Sequence, residues 1–332
     1  MRVAIVNDMK LAVELLRRIV TSMPDCEVAW TAADGEEAVR KCAADTPDIL
    51  IMDMMMPRMN GVEATKLIMK NSPCAILIVT ASVNENSTMV FKALGEGALD
   101  AVNTPSMLVM NEEQNDSELV KKLLMLKKLI GLSYDKKELK PRAARNAPCR
   151  LVAIGSSTGG PQALAELFSA IPPEINAAFT VVQHIDRQFI HGFANWLGHS
   201  CRLPIKVAEP GDAPRKGTVL LAGTNDHMIM CPDGTVDYTV SPVDNPYRPS
   251  VDVFFLSLAA HWQDKGMAAL LTGIGRDGAP GLLKLRQSGW YTFAQDQASC
   301  IVYGMPRTAA ELNAADEILP PRAIAHRMAE KL

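Results

Sequence analysis

The stretch that decides the fold of the second half of this chain is Ala153–Leu164, AIGSSTGGPQAL. It follows the apolar run Leu151–Ile154 and precedes a segment with the spacing of an amphipathic helix. A glycine-rich turn between a buried strand and a helix exposes a small hydroxyl residue, here Ser157. The free backbone N–H groups at the start of such a helix are suited to hold a developing oxyanion. The pattern therefore indicates an α/β fold with nucleophilic chemistry at Ser157.

Two further apolar runs in this half end in polar residues of the kinds that accompany a nucleophilic serine. Residues 181–183 lead to His184, and residues 270–276 lead to Asp277. Because the carboxyl ends of parallel strands meet at one edge of a sheet, we expect the three side chains to lie together. Acyl transfer at a serine needs a base and a group that orients the base. The pattern predicts Ser157 as nucleophile, His184 as general base and Asp277 as the orienting carboxylate.

The same residues allow other interpretations. Ser157 alone is also a suitable helix N-cap. A metal site formed by His184, His191 and His199 is weakly supported, since their spacing lacks the acidic partner of zinc motifs. The glycine-rich loop lacks the lysine of a P-loop and the glycine spacing of a dinucleotide fingerprint, so phosphate binding is a weak alternative. We expect His227 to be structural.

Composition restricts the class of protein. The chain has 332 residues, 48% of them hydrophobic and 21% charged, which is enough for two domains with cores of their own. The net charge of −3 provides no general attraction to nucleic acid or to an anionic membrane, so we expect no nucleic-acid partner and no membrane insertion. The seven scattered cysteines form no CxxC pair and predict neither a zinc site nor a disulfide scaffold. Charged residues interrupt the start of the sequence too early for the apolar segment of a signal peptide, so we expect a cytoplasmic protein.

Residues 1–110 alternate short apolar runs with segments of helical periodicity. This alternation predicts a parallel sheet with helices on both faces. The predicted strands are Arg2–Val6, Val28–Thr31, Asp48–Met52, Ala75–Thr80 and Leu99–Val102, and the predicted helices are Leu11–Thr21, Asp34–Ala44 and Val62–Lys70.

A change of character divides the chain after this domain. Residues 111–148 contain a polar break, leucines at helical spacing between lysines, and a basic segment with prolines. We interpret them as a linker whose amphipathic helix packs on a neighbouring domain, with a membrane-surface helix as the less favoured alternative. Residues 149–332 form a second α/β unit.

Polar residues stand at the ends of three predicted strands of the first domain. Asp8 follows the first strand, Asp53 follows the third, and Thr80 ends the fourth. Two carboxylates at one sheet edge suit Mg²⁺, which prefers oxygen ligands. Such an ion would draw a phosphoryl group towards Asp53 as the acceptor, and the Thr80 hydroxyl would hydrogen-bond the phosphoryl oxygen.

This constellation, with the loop MDMMMPRMNG over Met52–Gly61, resembles the response-regulator receiver family over about residues 1–105. Three positions depart from the family pattern. Asn7 replaces one of two acids, Thr104 replaces the phosphoryl-sensing lysine, and Ala101 replaces the aromatic switch residue. Asn7 can still orient a metal-bound water, but Thr104 brings no cation to sense the phosphoryl charge. We therefore expect phosphorylation at Asp53 with a differently transmitted switch.

Five motifs of the second domain resemble the chemotaxis protein-glutamate methylesterase family, CheB. They are GSSTGGP at 155–161, QH at 183–184, RPSVD at 248–252, LTGIGRDG at 271–278 and ASCIVYGMP at 298–306. The resemblance implies a doubly wound, mostly parallel α/β catalytic domain behind a flavodoxin-like receiver of five strands. It implies a Ser157, His184 and Asp277 triad that hydrolyses γ-glutamyl methyl esters on chemoreceptor cytoplasmic domains, without a cofactor. Some members also deamidate glutamines.

The resemblance also assigns supporting residues and partners. Thr158 and Gly159 lie in the turn after the nucleophile, and Ile274 stands where the family usually has methionine near the oxyanion. A CheA-type histidine kinase is the implied phosphodonor, and phosphorylation of Asp53 is expected to relieve inhibition by the receiver. The ND pair at 7–8 and the VNTP segment at 102–105 resemble the subgroup that serves Wsp-type surface sensing. The alternative hypothesis is a phospho-dependent binding module whose hydrolase domain is inactive.

Overall fold

The computed structural model describes two compact units, which divide the chain into Met1–Asp135 and Lys136–Leu332. The described residues are 1–80, 83–104, 119–120, 122–124, 126–127 and 151–332. The polar break at 111–117 and the basic segment at 135–148, both predicted as parts of a linker, lie outside the described residues.

The first unit contains a parallel sheet of five strands in the order β2-β1-β3-β4-β5. This flavodoxin-like order places β3 at the centre and confirms the parallel α/β sheet predicted from the alternating pattern. The strands are β1 (Arg2–Val6), β2 (Glu27–Ala32), β3 (Ile49–Asp53), β4 (Ala75–Thr80) and β5 (Asp100–Asn103). The helices are α1 (Lys10–Ser22), α2 (Gly35–Ala44), α3 (Gly61–Asn71) and α4 (Val83–Gly95).

Side-chain caps fix where two of these helices begin. The Asp34 carboxylate accepts from the Glu37 backbone N–H at 2.9 Å. The Asn60 side chain accepts from Val62 N and Glu63 N, both at 3.0 Å. Each cap satisfies N–H groups that have no partner inside the helix. The second cap starts α3 directly behind the loop that follows Asp53.

The described part of the amphipathic stretch after β5 packs on the first unit. Leu119, Leu123 and Leu126 are buried in the same core as the strands β1, β3 and β4. The Lys122 ammonium donates to the Asp100 carboxylate at 2.9 Å and to the Ala101 carbonyl at 2.6 Å. The apolar face predicted for this stretch is therefore covered by protein.

The second unit is built on a parallel sheet of seven strands in the order β14-β13-β12-β6-β7-β9-β8, beside an antiparallel hairpin of β10 and β11. The strands are β6 (Leu151–Ser156), β7 (Ala178–Gln183), β8 (Ile205–Val207), β9 (Val219–Leu221), β10 (His227–Met230), β11 (Val236–Thr239), β12 (Met267–Leu270), β13 (Tyr291–Gln295) and β14 (Glu317–Leu319). The helices are α5 (Gly160–Ala170), α6 (Ile190–Gly198), α7 (Val251–His261), α8 (Ala279–Gln287), α9 (Met305–Glu311) and α10 (Pro321–Lys331), with a short 3₁₀ turn at Arg187–Phe189.

Helices cover this sheet on both faces. On one face, α7 packs on α8, and their side chains share a core with Leu151 and Ala153 of β6. Val152 and Ile154 point to the opposite face, since side chains alternate along a strand, and α5 packs against α10. All four strand residues are fully buried. Burial on both faces explains why β6 reads as a continuous apolar run without alternation.

The order in which successive strands are placed in the sheet reverses at β6. From β6 it continues to β7 on one side, and it returns much later to β12 on the other side. In open parallel sheets such a switch point leaves a crevice at the carboxyl ends of the strands, where ligands bind. The turn after β6, with Ser157, lies at this crevice.

A glycine in β6 lets α7 approach the sheet at this point. A Cβ on Gly155 would lie 2.2 Å from Cγ1 of Val251, the first residue of α7. Only a residue without a side chain permits this contact, which brings the start of α7 to the switch point. Among the described residues, no helix is long and apolar enough to cross a bilayer.

We predict that Leu123 belongs to the cooperative core of the first unit. Replacing it by alanine should lower the free energy of unfolding by about 2–5 kcal/mol, because a fully buried leucine leaves a cavity. Amide hydrogen exchange in the intact protein, read on the β3 peptide, measures the change. The matched control is Leu124→Ala, where the side chain is 38% exposed and the cost should be about 0.5 kcal/mol or less. Equal effects of the two changes would contradict the prediction.

Candidate active site

Backbone hydrogen bonds fix the turn that carries Ser157. Its N–H donates to the Thr272 carbonyl at 3.0 Å. Its carbonyl accepts from Gly160 N at 2.7 Å and from the Gln183 side-chain amide at 2.9 Å. Gly159, at the N-cap of α5, has φ +77°, which glycine adopts at little cost. The serine is therefore held rigidly between the end of β6 and the start of α5.

A second loop lies directly against the serine side chain. A Cβ on Gly273 would lie 2.7 Å from Ser157 Cβ and 2.2 Å from the Met305 sulfur. The Gly273 carbonyl in turn accepts from Gly304 N at 3.2 Å and Met305 N at 2.9 Å. The loop that carries Asp277 therefore reaches Ser157 only because its residue 273 is glycine.

His184 follows β7, the strand next to β6. Ser156 pairs with Gln183 across the two strands, and His184 N donates to the Ser156 carbonyl at 3.0 Å. Neighbouring strands are about 4.8 Å apart, so Ser157 and His184 leave adjacent strand ends. The structure thus places the predicted nucleophile and base at the ends of neighbouring strands.

A hydrogen bond joins His184 to Asp277. The imidazole Nε2 lies 2.7 Å from Asp277 Oδ2. The other nitrogen, Nδ1, is buried and has no hydrogen-bond partner among the described residues, the Ser157 hydroxyl included. A buried polar atom without a partner is costly, so Nδ1 is the nitrogen left to bind substrate or exchange a proton.

The start of α7 surrounds the Asp277 carboxylate. Ser250 Oγ donates to Oδ1 at 2.7 Å, Val251 N to Oδ2 at 2.6 Å, and Asp252 N to Oδ1 at 3.2 Å. Burial alone would raise the pKa of Asp277, but the hydrogen bonds from His184, Ser250 and Val251 lower it below its usual value. The positive end of the helix dipole favours the same ionised form. Asp277 is therefore a fixed negative charge at neutral pH.

A buried histidine holds Ser250 in place. The Ser250 N–H donates to His227 Nδ1 at 3.1 Å, and His227 Nε2 lies 3.3 Å from the Pro242 carbonyl. His227 is fully buried. Because Nδ1 accepts, the proton of this neutral ring is on Nε2 and is donated to Pro242. The structural role expected for His227 is to position the cap of α7.

Buried polar side chains also support the turn after β6. Thr272 Oγ1 lies 3.0 Å from the carbonyl of Thr158, which is itself buried, and accepts from Val302 N at 2.9 Å. Thr272 N donates to the Gln295 side chain at 2.8 Å. Such satisfied networks restrict a site to one arrangement. Ile274, the remaining residue predicted to support the site, is half-buried in the loop after Gly273.

The histidines of the weaker metal hypothesis are used elsewhere. His191 lies on α6, and His199 ends that helix with Nδ1 at 2.8 Å from the Asn195 carbonyl. No group of three His, Cys, Asp or Glu side chains suited to a metal occurs within the described part of the chain.

In the first unit, the polar residues predicted for phosphoryl chemistry lie at the carboxyl edge of the sheet. Asp53 ends the central strand β3 and is half-buried, while Asp8 is exposed after β1. Thr80 ends β4, and its carbonyl accepts from Thr104 N at 2.9 Å. Asn7 is buried, and its side-chain oxygen accepts from the backbone N–H of the second residue after it at 2.8 Å.

The environment of Asp53 disfavours its charged form. Burial and the Asp8 charge together raise its pKa to about 6, against the opposing hydrogen bond from Met54 N. Two nearby carboxylates that repel each other are a donor set suited to a divalent cation. The residues present therefore fit the predicted Mg²⁺.

Comparison with known proteins assigns the chain to a family. The CheB methylesterase family matches residues 152–328, and the response regulator receiver domain matches residues 3–109. A Pseudomonas aeruginosa protein named protein-glutamate methylesterase/protein-glutamine glutaminase 3 is 49% identical over 332 residues, which is 99% of each chain. The chain belongs to the CheB methylesterase family.

Further relatives give the same result. A protein-glutamate methylesterase/protein-glutamine glutaminase of Mesorhizobium japonicum is 49% identical over 99% of this chain and 98% of its own. The crystal structure of the Thermotoga maritima CheB methylesterase catalytic domain is 33% identical and superposes with a TM-score of 0.53. That match covers 56% of this chain and 100% of the other, so the second unit has the CheB catalytic fold.

Sequence reasoning missed the residues that hold the His184–Asp277 pair. Ser250 caps α7 and donates to Asp277, and Tyr247 stacks on His184 with ring centroids 4.9 Å apart. Ser250 is part of the quoted RPSVD motif, and Tyr247 directly precedes it. The motif identified this segment as typical of the CheB family but did not predict its contacts, because these depend on the packing of α7 on β6.

We predict a pH-dependent stability cost at Asp252. Burial, and then the Asp277 charge, raises its pKa to about 6, above about 4 for the unfolded chain. The folded protein binds the extra proton between these values, so stability declines as the pH rises through this window and stays reduced above it. Asp252→Asn should therefore stabilise the protein by about 1–3 kcal/mol more at pH 7.5 than at pH 4.5.

Urea unfolding at the two pH values measures this difference. Asparagine keeps an oxygen for the Gly281 N–H, which donates to the Asp252 carboxylate at 2.6 Å. The control is Asp264→Asn, a substitution at an exposed surface position, which should change the free energy of unfolding by about 0.5 kcal/mol or less. A pH-independent effect of Asp252→Asn would refute the prediction.

Proposed function

We propose that this CheB-family chain is a phosphorylation-regulated protein-glutamate methylesterase acting on glutamyl methyl esters of chemoreceptor cytoplasmic domains. The observation that carries the proposal is the His184–Asp277 hydrogen bond, whose histidine follows the strand next to the one that leads to Ser157, at the switch point of the sheet. The relatives that match over nearly the whole chain are named methylesterase and glutaminase, which supports deamidation of receptor glutamines at the same site. Because these substrates are cytoplasmic, we place the enzyme in the cytoplasm.

In the first half of the reaction, Ser157 Oγ attacks the ester carbonyl. His184 takes the hydroxyl proton at Nδ1, since Nε2 is engaged by Asp277. Asp277 fixes the ring orientation and stabilises the imidazolium that forms. The tetrahedral intermediate collapses when His184 returns the proton to the departing methoxide, which leaves as methanol and yields the acyl-enzyme.

Backbone N–H groups are the proposed oxyanion donors. The candidates are those of Thr158 and Gly159 in the turn after Ser157, and that of Ile274 in the loop packed against it. Water then attacks the acyl-enzyme with His184 again as base, releasing the glutamate and restoring Ser157. Serine acyl transfer needs only the base and these donors, so the proposal invokes no cofactor in the catalytic domain.

Regulation is proposed to begin at Asp53. A CheA-type histidine kinase is the phosphodonor, and Asp53 is the phosphoryl acceptor. Asp8 and Asp53 would hold Mg²⁺, with Asn7 acting through water, and the ion would neutralise the charge of the phosphoryl group. Thr80 and Thr104, joined by their backbone hydrogen bond, would sense the phosphoryl group at the ends of β4 and β5.

Substitution of the nucleophile tests the esterase. A methylated receptor cytoplasmic fragment should release methanol with the native enzyme, while Ser157→Ala should lower kcat by at least about 1,000-fold, because the remaining groups cannot form the acyl-enzyme. The variant should keep its thermal unfolding midpoint. Substantial release by Ser157→Ala would refute the role of Ser157. No release by the native enzyme, on a fragment that another methylesterase cleaves, would favour the binding-module hypothesis.

A small phosphodonor tests the regulation. Acetyl phosphate or phosphoramidate with Mg²⁺ should raise methanol release by the native enzyme several-fold. Asp53→Asn should keep the basal rate and lose the response, because the amide cannot accept the phosphoryl group. Chelation of Mg²⁺ should remove the response of the native enzyme in the same way. If Asp53→Asn still responded to the phosphodonor, the phosphorylation site would be wrong.

A further inference from the structure

The ring of Tyr247 covers one face of the His184 imidazole. The two ring centroids are 4.9 Å apart and the ring planes differ by 13°. This is an offset stack, the arrangement that aromatic pairs prefer. Tyr247 has no part in the acyl-transfer steps above, yet it touches the group that moves the proton.

A stacking partner matters because one hydrogen bond does not fix a ring. The bond from Nε2 to Asp277 lets the imidazole tilt about that contact, and Nδ1 has no partner among the described residues to resist the motion. A parallel ring at this distance blocks tilting towards its side. Misplacement of a reacting group by about 1 Å can cost about 100-fold in rate, so the constraint is large enough to matter.

Tyr247 is itself held from two sides. Its N–H donates to the Asn245 side chain at 2.9 Å. Its hydroxyl lies over Gly275, where a Cβ would come within 2.0 Å of the phenol oxygen, and Gly275 has φ +85°. The loop that supplies Asp277 thus leaves a gap at Gly275 that the tyrosine fills.

One short segment therefore contacts both members of the pair. Tyr247 stacks on His184, and three residues later Ser250 donates to Asp277. Between them, Pro249 is buried, and Ser250 is fixed by His227. The base directly follows β7 and its orienting carboxylate lies in the loop after β12, but the relative position of their side chains depends on this segment.

We propose that Tyr247 is a positioning residue: its ring face keeps Nε2 of His184 on Asp277 and presents Nδ1 to Ser157, and Gly275 is required for its approach. The inference deepens the proposed function and rests on it for the identity of the nucleophile. It predicts that the aromatic face, rather than the phenol hydroxyl, carries the effect.

The test measures the rate at which a fluorophosphonate labels Ser157 in the full-length protein, because this reaction needs the base but no receptor. Tyr247→Leu should slow labelling about 10- to 100-fold. Tyr247→Phe keeps the ring face and should stay within about threefold of the native rate. Ser157→Ala is the blank and should not be labelled. In methanol release, Tyr247→Leu should lower kcat by a similar factor with little change in KM, since the ring touches the base and not the ester.

Two outcomes would overturn the inference: labelling of Tyr247→Leu within about threefold of native, or an equal loss in Tyr247→Phe and Tyr247→Leu. Rapid native labelling without methanol release would refute the proposed substrate and leave the positioning role intact. A second measurement does not depend on the leucine variant. Gly275→Ala should slow labelling less in the Tyr247→Phe background than in the native one, because the clash with the hydroxyl is gone. If the effects of the two substitutions were additive, Gly275 would not be required for the approach of Tyr247.

Discussion

The hydrogen-bonded clasp of Asp277 by the first turn of α7 is the contact on which the catalytic unit depends. It supplies three donors to one buried carboxylate and leaves the fourth direction to His184. A buried charge without such partners would be neutralised or expelled, and His184 would then lose its orienting group. These hydrogen bonds can form only if α7 packs against β6. Gly155 makes this possible, because its missing side chain leaves the space that Val251 occupies.

The clasp also has an energetic consequence for its neighbour. Asp252 lies in the same first turn, and the fixed negative charge of Asp277 adds to burial in raising its pKa. The helix start therefore stabilises one carboxylate and makes the next one costly. This is the trade expected where a site is assembled for chemistry rather than for maximal stability.

Much of the fold, and which polar residues lie at the carboxyl edge of the second sheet, could be predicted from the sequence, because both are recorded locally. The apolar runs before Ser157 and His184 form β6 and β7, and Asp277 lies in the loop that follows β12. Parallel strands bring their carboxyl ends together, which places the three residues at one edge. Tyr247 and Ser250 leave no comparable signal. Their roles depend on a contact between α7 and β6, which are about a hundred residues apart in the sequence. The residues next to Tyr247 in the sequence do not distinguish a tyrosine that stacks on a base from one that fills space. The three leucines after β5 fall between these cases, since their spacing predicted a buried face but not which core would bury it.

Each unit has a carboxylate at the same topological position, but the pKa of one is raised and that of the other is lowered. Asp53 and Asp277 both lie at the carboxyl edge of a parallel sheet. Both oxygens of Asp277 accept hydrogen bonds from the start of α7, and these bonds lower its pKa and compensate its charge within the protein. Burial and the charge of Asp8 raise the pKa of Asp53 to about 6, and the single backbone donor at Met54 opposes this rise only in part. An internally compensated carboxylate is suited to orient a base through every turnover. An under-compensated one is suited to take up a cation and a phosphoryl group from outside, which is what a regulated acceptor must do.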